Sequence, residues 1–132
     1  MVQKSDWRSE YRRRLQSADD AVSHLVDGQR LILPTLAGQP PSLLAAMGRR
    51  LRDGKLARVR PSTILPTPDL ADALLQPEHS DCLDWDSLFC GNSDRLGVFE
   101  GRYDMTPMHF GQMPKIMRED MRVGAVMTLA SP

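Results

Sequence analysis

The sequence is poor in aromatic residues and in cysteine, and it carries no net charge. Only 5% of its residues are Phe, Trp or Tyr, and its two cysteines are Cys82 and Cys90. Two cysteines are too few for the disulfide framework of a small secreted domain, so we expect a reduced, cytoplasmic protein. No segment approaches the ~18 consecutive apolar residues of a membrane-spanning helix, so no contact with a membrane is expected. No phosphate-binding loop ending in lysine and serine or threonine is present.

The sequence does have enough apolar residues for one folded unit. Its 132 residues, 41% of them hydrophobic, suit one domain or part of a larger one. Residues 1–66 hold 12 basic and 6 acidic residues (+6), whereas residues 67–132 hold 5 and 11 (−6). A basic half is typical of proteins that bind nucleic acid or phosphorylated ligands. We favour the alternative, two oppositely charged surfaces of one fold, because the basic residues are interleaved with apolar ones at helical spacing.

The first half of a βαβ unit is visible near the start of the chain. Residues 30–33 form a short apolar strand, and residues 34–42 form a loop with three prolines and a glycine. Residues 43–51 then repeat apolar side chains at helical spacing. This order of strand, loop and helix predicts an α/β fold.

The rest of the chain is less regular. A second strand is predicted within residues 56–66, interrupted at Pro61, and residues 77–94 are predicted to be irregular. The apolar run 123–130 is suited to a buried strand. Because the chain stops at the end of this run, we expect a partial, open, mostly parallel sheet with flanking helices, truncated before its next crossover.

Four segments carry a recognisable set of motifs and together span nearly all of the chain. They are WRSEYRRRLQSADDAVSHLVDGQRL, LAGQPPSLLAAM, GRYDMTPMHFGQMP and VGAVMTLASP. In order and spacing they resemble the N-terminal half of coenzyme A transferases of the acetyl-CoA hydrolase/transferase type, the family that includes 4-hydroxybutyrate CoA-transferases. One departure concerns the loop of the second segment, where Pro34 stands in place of the family's glycine.

The resemblance implies that residues 1–132 are a partial CoA-transferase N-terminal domain and that the catalytic C-terminal half is absent. In such enzymes a glutamate attacks an acyl-CoA and becomes a glutamyl-CoA thioester. That glutamate belongs to the missing half, so no catalytic residue is assigned in this chain, which alone is expected to be inactive. Coenzyme A enters as a thioester substrate, and no permanently bound cofactor is implied.

The resemblance also implies where substrate would bind. Gly38, Gln39 and Pro40 are candidates because a glycine permits close backbone approach and the loop leads into a helix N-terminus, which favours negative charge. The alternative for these three is a plain turn in which prolines start the helix. His109 is a candidate partner of a substrate carboxylate, with a solvated or core histidine as the alternative, and Ser131 is a candidate at a strand end.

A metal site is not expected. His79, Asp81, Cys82 and Cys90 lie near one another in sequence, but they contain no C-x-x-C pair and no converging histidines.

The partners implied are acyl-CoA, small carboxylates and the missing C-terminal half, supplied in cis or in trans. A homo-oligomer is expected of the complete protein, and no nucleic acid is expected. Three alternatives remain open: an acyl-CoA hydrolase of the same family, a non-catalytic binding module with a basic face, and an inert fragment.

Overall fold

The centre of the molecule is a parallel β-sheet. A computed structural model describes residues 6–130, and within them five strands form one sheet. The strands are β1 (Arg30–Ile32), β2 (Arg60–Ile64), β3 (Asp86–Phe89), β4 (Asp104–Met105) and β5 (Ala125–Val126). Every neighbouring pair is parallel, in the order β4-β3-β2-β1-β5. The expected open, parallel α/β sheet is therefore confirmed.

Helices separate the strands, and several begin at residues that the sequence marks as caps. Between residues 6 and 130 the α-helices are α1 (Trp7–Arg14), α2 (Ala18–Val22), α3 (Pro41–Arg52), α4 (Pro68–Leu74), α5 (Arg95–Phe99) and α6 (Met113–Glu119). Asp6 caps α1 and Ser17 caps α2, each with a side-chain oxygen that accepts from a backbone N–H of the first turn. None of these helices is long and apolar enough to cross a membrane.

The strand order reverses once. From β1 to β4 each strand is added on the same side of its predecessor, but β5 lies on the opposite side of β1. The β1/β5 pair, in which Leu31 is opposite Ala125, is thus the topological switch point of the sheet. In open α/β sheets, ligands bind in the crevice beyond the carboxyl ends of the strands at such a point.

The first face of the sheet carries the hydrophobic core. Leu31 of β1, together with Val59 and Trp85 just before β2 and β3, is almost completely buried in one cluster with side chains of α2, α3 and α4. Burial of each large apolar side chain of this kind contributes roughly 1.5–3 kcal/mol to folding. The other main core residues belong to the helices and loops: Val22, Leu44, Met47, Leu51, Leu56, Leu70 and Leu74.

The second face has a buried polar cluster across its three central strands. Asp86 of β3 is 4% exposed. It accepts hydrogen bonds from Arg30 (Nη1 to Oδ2, 3.3 Å), Ser62 (Oγ to Oδ2, 3.4 Å) and Thr106 (Oγ1 to Oδ1, 2.8 Å). A carboxylate can be buried in this way because each of its oxygens has partners.

Arginines of the basic half pair with carboxylates of the acidic half. Besides the Arg30–Asp86 pair, Arg58 and Arg60 both approach Asp84, at 3.2 and 3.8 Å. The charge asymmetry of the sequence therefore serves, in part, to hold the central strands of one sheet together. This pairing supports the interpretation of two charged regions within one fold over that of a free basic face.

Two local predictions are wrong. Residues 77–94 are not irregular throughout, because β3 lies inside them and is a central strand. Its carboxylates are neutralised by arginines far away in sequence, which local patterns do not reveal. Pro61 does not interrupt β2, because it pairs with Leu31 of β1. The regular hydrogen-bonded ladder to β3 begins only at Ser62, so the backbone N–H that proline lacks is not needed in that ladder.

Candidate functional site

The loops beyond the carboxyl ends of the strands contain most of the predicted site residues. The loop from β1 to α3 holds Gly38, Gln39 and Pro40, and the segment after β4 holds His109. Ser131 lies outside the described residues. All four described candidates therefore lie at one edge of the sheet, although at different strands.

Gly38 allows the loop to fold tightly on itself. It ends a 3-10 turn (Leu36–Gly38), and a Cβ at this position would lie 2.9 Å from Cβ of Pro34. Its N–H donates to the carbonyl of Thr35 (3.2 Å), and its carbonyl accepts from the N–H of Leu129 (2.8 Å). The glycine is thus required by contact with Pro34, and it ties the loop after β1 to the segment after β5 across the switch point.

Gln39 is the central connection of this edge rather than an exposed polar group. Only 4% of it is exposed. Its Nε2 donates to the carbonyls of Pro34 (2.9 Å) and Leu65 (3.3 Å) and lies 3.4 Å from Oγ1 of Thr63. Its Oε1 accepts from both N–H and Oγ1 of Thr67, at 2.9 and 2.8 Å. All polar atoms of the amide are engaged, so Gln39 positions the loops after β1 and β2.

The two loops that Gln39 joins are strained. Leu36 and Leu65 both have left-handed backbone conformations, with φ of 46° and 53°. Such conformations cost of order 1 kcal/mol or more for a non-glycine residue and are concentrated at functional sites. Both leucines lie just beyond the carboxyl end of a strand, and Leu36 lies beside the switch point, where open α/β sheets bind ligands.

Helix α3 begins at the same edge without a side-chain cap. Pro40 occupies the N-cap position and Pro41 the first helical position, and neither can cap with a side chain. The N–H groups of the first turn favour a negatively charged group at this point. Prolines that start the helix were the alternative expected for this loop, and in this structure they also leave the helix terminus uncapped.

His109 lines an apolar cavity of about 300 Å³. The cavity lies between the ends of β2 and β3 and the start of α6, and its other lining residues are Ile64, Leu88, Phe89, Met108, Phe110 and Met113. Ile64 and Leu88 belong to the second face of the sheet, so the connection from β4 to β5 starts over that face. His109 itself is exposed and provides the polar group at the rim.

The residues considered for a metal are dispersed or buried. Among residues 6–130, no group of three or more His, Cys, Asp or Glu side chains is placed to hold a metal ion. His79 is 1% exposed, and its Nδ1 lies 2.8 Å from the carbonyl of Leu74. Burial raises the pKa of the Cys82 thiol, assisted by the charge of Asp81, which favours the neutral thiol over a thiolate ligand.

Sequence reasoning missed the Asp86 cluster and the role of the Gln39 side chain. Local pattern gives little signal for β3, because the polar residues Asp86 and Ser87 separate the apolar residues Trp85 and Leu88. No local signal identifies most partners of Gln39, because Thr63, Leu65 and Thr67 lie 24–28 positions away.

Together these features define an open, parallel α/β sheet with flanking helices, whose candidate ligand-binding edge lies beyond the carboxyl ends of the strands. The family model of the acetyl-CoA hydrolase/transferase N-terminal domain matches residues 1–126, and the chain belongs to this family. It is a family of enzymes that act on CoA thioesters. No curated protein matches the sequence.

Solved structures agree with this assignment. RipA from Yersinia pestis is 25% identical, with a TM-score of 0.88 over 96% of this chain and 31% of RipA. A single-substitution variant of RipA gives a TM-score of 0.90 at the same identity, covering 96% of this chain and 30% of that one. A variant of the decarboxylase AibA/AibB is 15% identical, with a TM-score of 0.55 over 80% of this chain and 42% of that one. At this identity the comparison shows only a similar fold. The chain therefore spans less than a third of the length of RipA.

Proposed function

We propose that this chain is the N-terminal portion of an acyl-CoA:carboxylate CoA-transferase of the acetate or 4-hydroxybutyrate type. The observation that carries the proposal is the family match over residues 1–126, together with a ligand-binding edge built from the loops after β1, β2 and β4. The nucleophilic glutamate lies outside this chain, in the complementary C-terminal portion. Substrate acids and acyl-CoA meet at the interface of the two parts.

The reaction proceeds through covalent exchange at the glutamate. Its carboxylate attacks the thioester carbonyl of acyl-CoA, a C–O bond forms, the C–S bond breaks, and CoA leaves as a thiolate. The thiolate attacks the glutamyl carbonyl of the resulting anhydride and releases the first carboxylate, which leaves a glutamyl-CoA thioester. A second carboxylate then reverses both steps, producing the new acyl-CoA and the free glutamate.

The residues of this chain bind and orient the substrates in this scheme. Each addition passes through an oxyanion that requires fixed N–H donors, and the uncapped first turn of α3, after Pro40, supplies a field of the right sign. Gly38 lets the loop lie close to that point, and Gln39 holds it there. His109 donates to a substrate carboxylate, and Ser131 is a further candidate contact of the substrate.

Hydrolysis is the second candidate within the family. If water instead of a second carboxylate attacks the glutamyl thioester, the products are free CoA and free acid. A nucleic-acid-binding module is less well supported, because Arg30, Arg58 and Arg60 are paired with Asp84 and Asp86 in the sheet. We propose a cytoplasmic location, with Cys82 and Cys90 as free thiols, and a homo-oligomer for the complete protein.

Reconstitution tests this function. The chain is mixed with the C-terminal portion of a family member, and acyl transfer from acetyl-CoA to a panel of carboxylates is followed by chromatography. We expect turnover from the mixture and none from the chain alone, because losing the nucleophile of a covalent pathway removes many orders of magnitude in rate. A C-terminal portion with its glutamate changed to glutamine is the control. Turnover by the chain alone would overturn the proposal, and thiol release without an acceptor acid would identify the hydrolase.

A further inference from the structure

The cavity beside His109 has the composition of a site for a small amphiphile. Its lining is apolar apart from one imidazole, and its volume of about 300 Å³ is at the lower end of the ~300–1,000 Å³ range of small-molecule sites. The apolar floor is formed by strand ends, through Ile64 and Leu88, so it is positioned by the rigid sheet. A cavity of this size has room for about ten non-hydrogen atoms, at the ~30 Å³ that a water molecule occupies in the liquid.

His109 lies at the boundary between two environments. Together with Met108 it also lines an adjoining depression of about 340 Å³, whose other lining residues are Pro107 and Gln112. On one side of the imidazole the surroundings are apolar, and on the other a side-chain amide is present. A ligand with an alkyl tail and an anionic head would place its tail inward and its head beside the imidazole.

We propose that this cavity binds the alkyl chain of the substrate acid and so limits the acyl group to about eight carbons, with His109 as donor to the carboxylate. Octanoate has ten non-hydrogen atoms and would fill the cavity. The inference rests on the proposed function for the identity of the ligand as a substrate, while binding of the acid can be measured on this chain by itself.

Methionine-methyl NMR of the full chain measures the binding directly. Met108 and Met113 line the cavity, whereas Met47 is buried in the core of the first face and serves as an internal control. Acetate, butyrate, hexanoate and octanoate are titrated as probes. We expect the Met108 and Met113 signals to shift, the Met47 signal to stay, and the dissociation constant to fall by about fourfold per added methylene until octanoate.

Variants separate the tail from the head. Ile64→Phe fills the cavity and should remove the dependence on chain length, whereas Val26→Phe adds bulk at an exposed position outside it. Hexanol, which lacks a carboxylate, should bind less tightly than hexanoate, and His109→Gln should reduce that difference. His24→Gln is the matched control, because His24 is exposed and lines neither of these cavities.

Several results would overturn the proposal. The first is an absence of shifts at Met108 and Met113, and the second is equal affinity for acetate and octanoate. The third is a set of shifts that depend on protein concentration without any acid, because another protein copy would then fill the cavity. The reconstituted enzyme keeps the two proposals distinguishable. Transferase activity whose acyl-length preference is unchanged by Ile64→Phe would refute only the cavity assignment. Length-dependent acid binding in a chain that never supports transfer would refute only the proposed function.

Discussion

Replacement of Gln39 by leucine tests how the loops after β1 and β2 are held together at the candidate ligand-binding edge. The substitution keeps the approximate volume but removes every hydrogen bond of the amide. The carbonyl of Leu65 and the N–H of Thr67 lose their partner, while the carbonyl of Pro34 keeps a bond from Oγ1 of Thr63 at 3.0 Å. An unsatisfied buried polar group costs about 1–3 kcal/mol. Two such groups therefore predict a loss of about 3 kcal/mol in the free energy of unfolding.

The assay is a comparison of three glutamine-to-leucine substitutions in the same chain. Gln112 is exposed, Gln76 makes one side-chain hydrogen bond, to the carbonyl of Ala71 at 3.0 Å, and Gln39 makes several. Urea unfolding should show almost no change for Gln112→Leu, about 1 kcal/mol for Gln76→Leu and about 3 kcal/mol for Gln39→Leu. The corresponding drop in Tm for Gln39→Leu is about 10 °C for a chain of this size.

The ranking decides the outcome. If Gln39→Leu is no more destabilising than Gln76→Leu, the amide does not hold the loops after β1 and β2, and the argument from buried hydrogen bonds is wrong. If Gln39→Leu loses the expected ~3 kcal/mol of unfolding free energy but acid binding at the His109 cavity is unchanged, the Gln39 loops and the His109 cavity are independent of each other.

Three further predictions follow from packing and charge. Gly97→Ala should destabilise the fold by about 2 kcal/mol, because the new Cβ would lie 2.1 Å from the ring of Tyr103, whereas Gly111→Ala meets nothing within 4 Å and should be nearly neutral in thermal unfolding. Burial raises the pKa of Tyr103 above its usual 10.0, so the fold should lose stability as pH rises through that raised value. Ultraviolet titration should show one tyrosine that ionises above pH 10, and this transition should be absent from Tyr103→Phe. Hydrogen bonds from Arg13 and Arg14 lower the pKa of Glu10 to about 2, so its carboxyl should titrate by NMR well below the usual 4.5. The stabilisation of α1 by these ion pairs should be present above pH 4.5 and lost as pH falls toward 2. A titration midpoint near 4.5 in low salt would contradict the ion pairs.

The elements that sequence reasoning placed correctly are those whose signals are local. Asp6 and Ser17 cap their helices through neighbours two or three positions away, and β1 followed by α3 is evident from an apolar run, a proline-rich loop and helical spacing. Helix α4 is capped by Thr67, whose side-chain oxygen accepts from the N–H of Leu70, although Asp69, two positions later, is also a favourable cap residue. Both residues are good caps, so local preference alone could not choose between them.

The elements that were missed depend on distant partners. Asp86 is a poor strand residue until Arg30, 56 positions away, is brought beside it. The final strand was expected over residues 123–130, yet only Ala125–Val126 are paired regularly, because β1 offers just three residues to pair with. For the site, the edge of the sheet was predictable from topology rules, whereas the cavity at His109 required residues from β2, β3 and α6 to be brought together in three dimensions. The assignment of Gly38, Gln39, Pro40, His109 and Ser131 as substrate-binding residues stays a prediction.

The reversal of strand order has a consequence for how the molecule is made. Leu31 of β1 is paired with Ala125 of β5, 94 positions later in the chain. At a synthesis rate of about 5–20 residues per second, β1 waits roughly 5 to 20 s on the ribosome before its second neighbour exists. During that time β2, β3 and β4 can be added in sequence on one side, because each follows its neighbour directly. The crevice between β1 and β5 is therefore the last part of the sheet to be assembled, after the loops that follow β1, β2 and β4 have all been made.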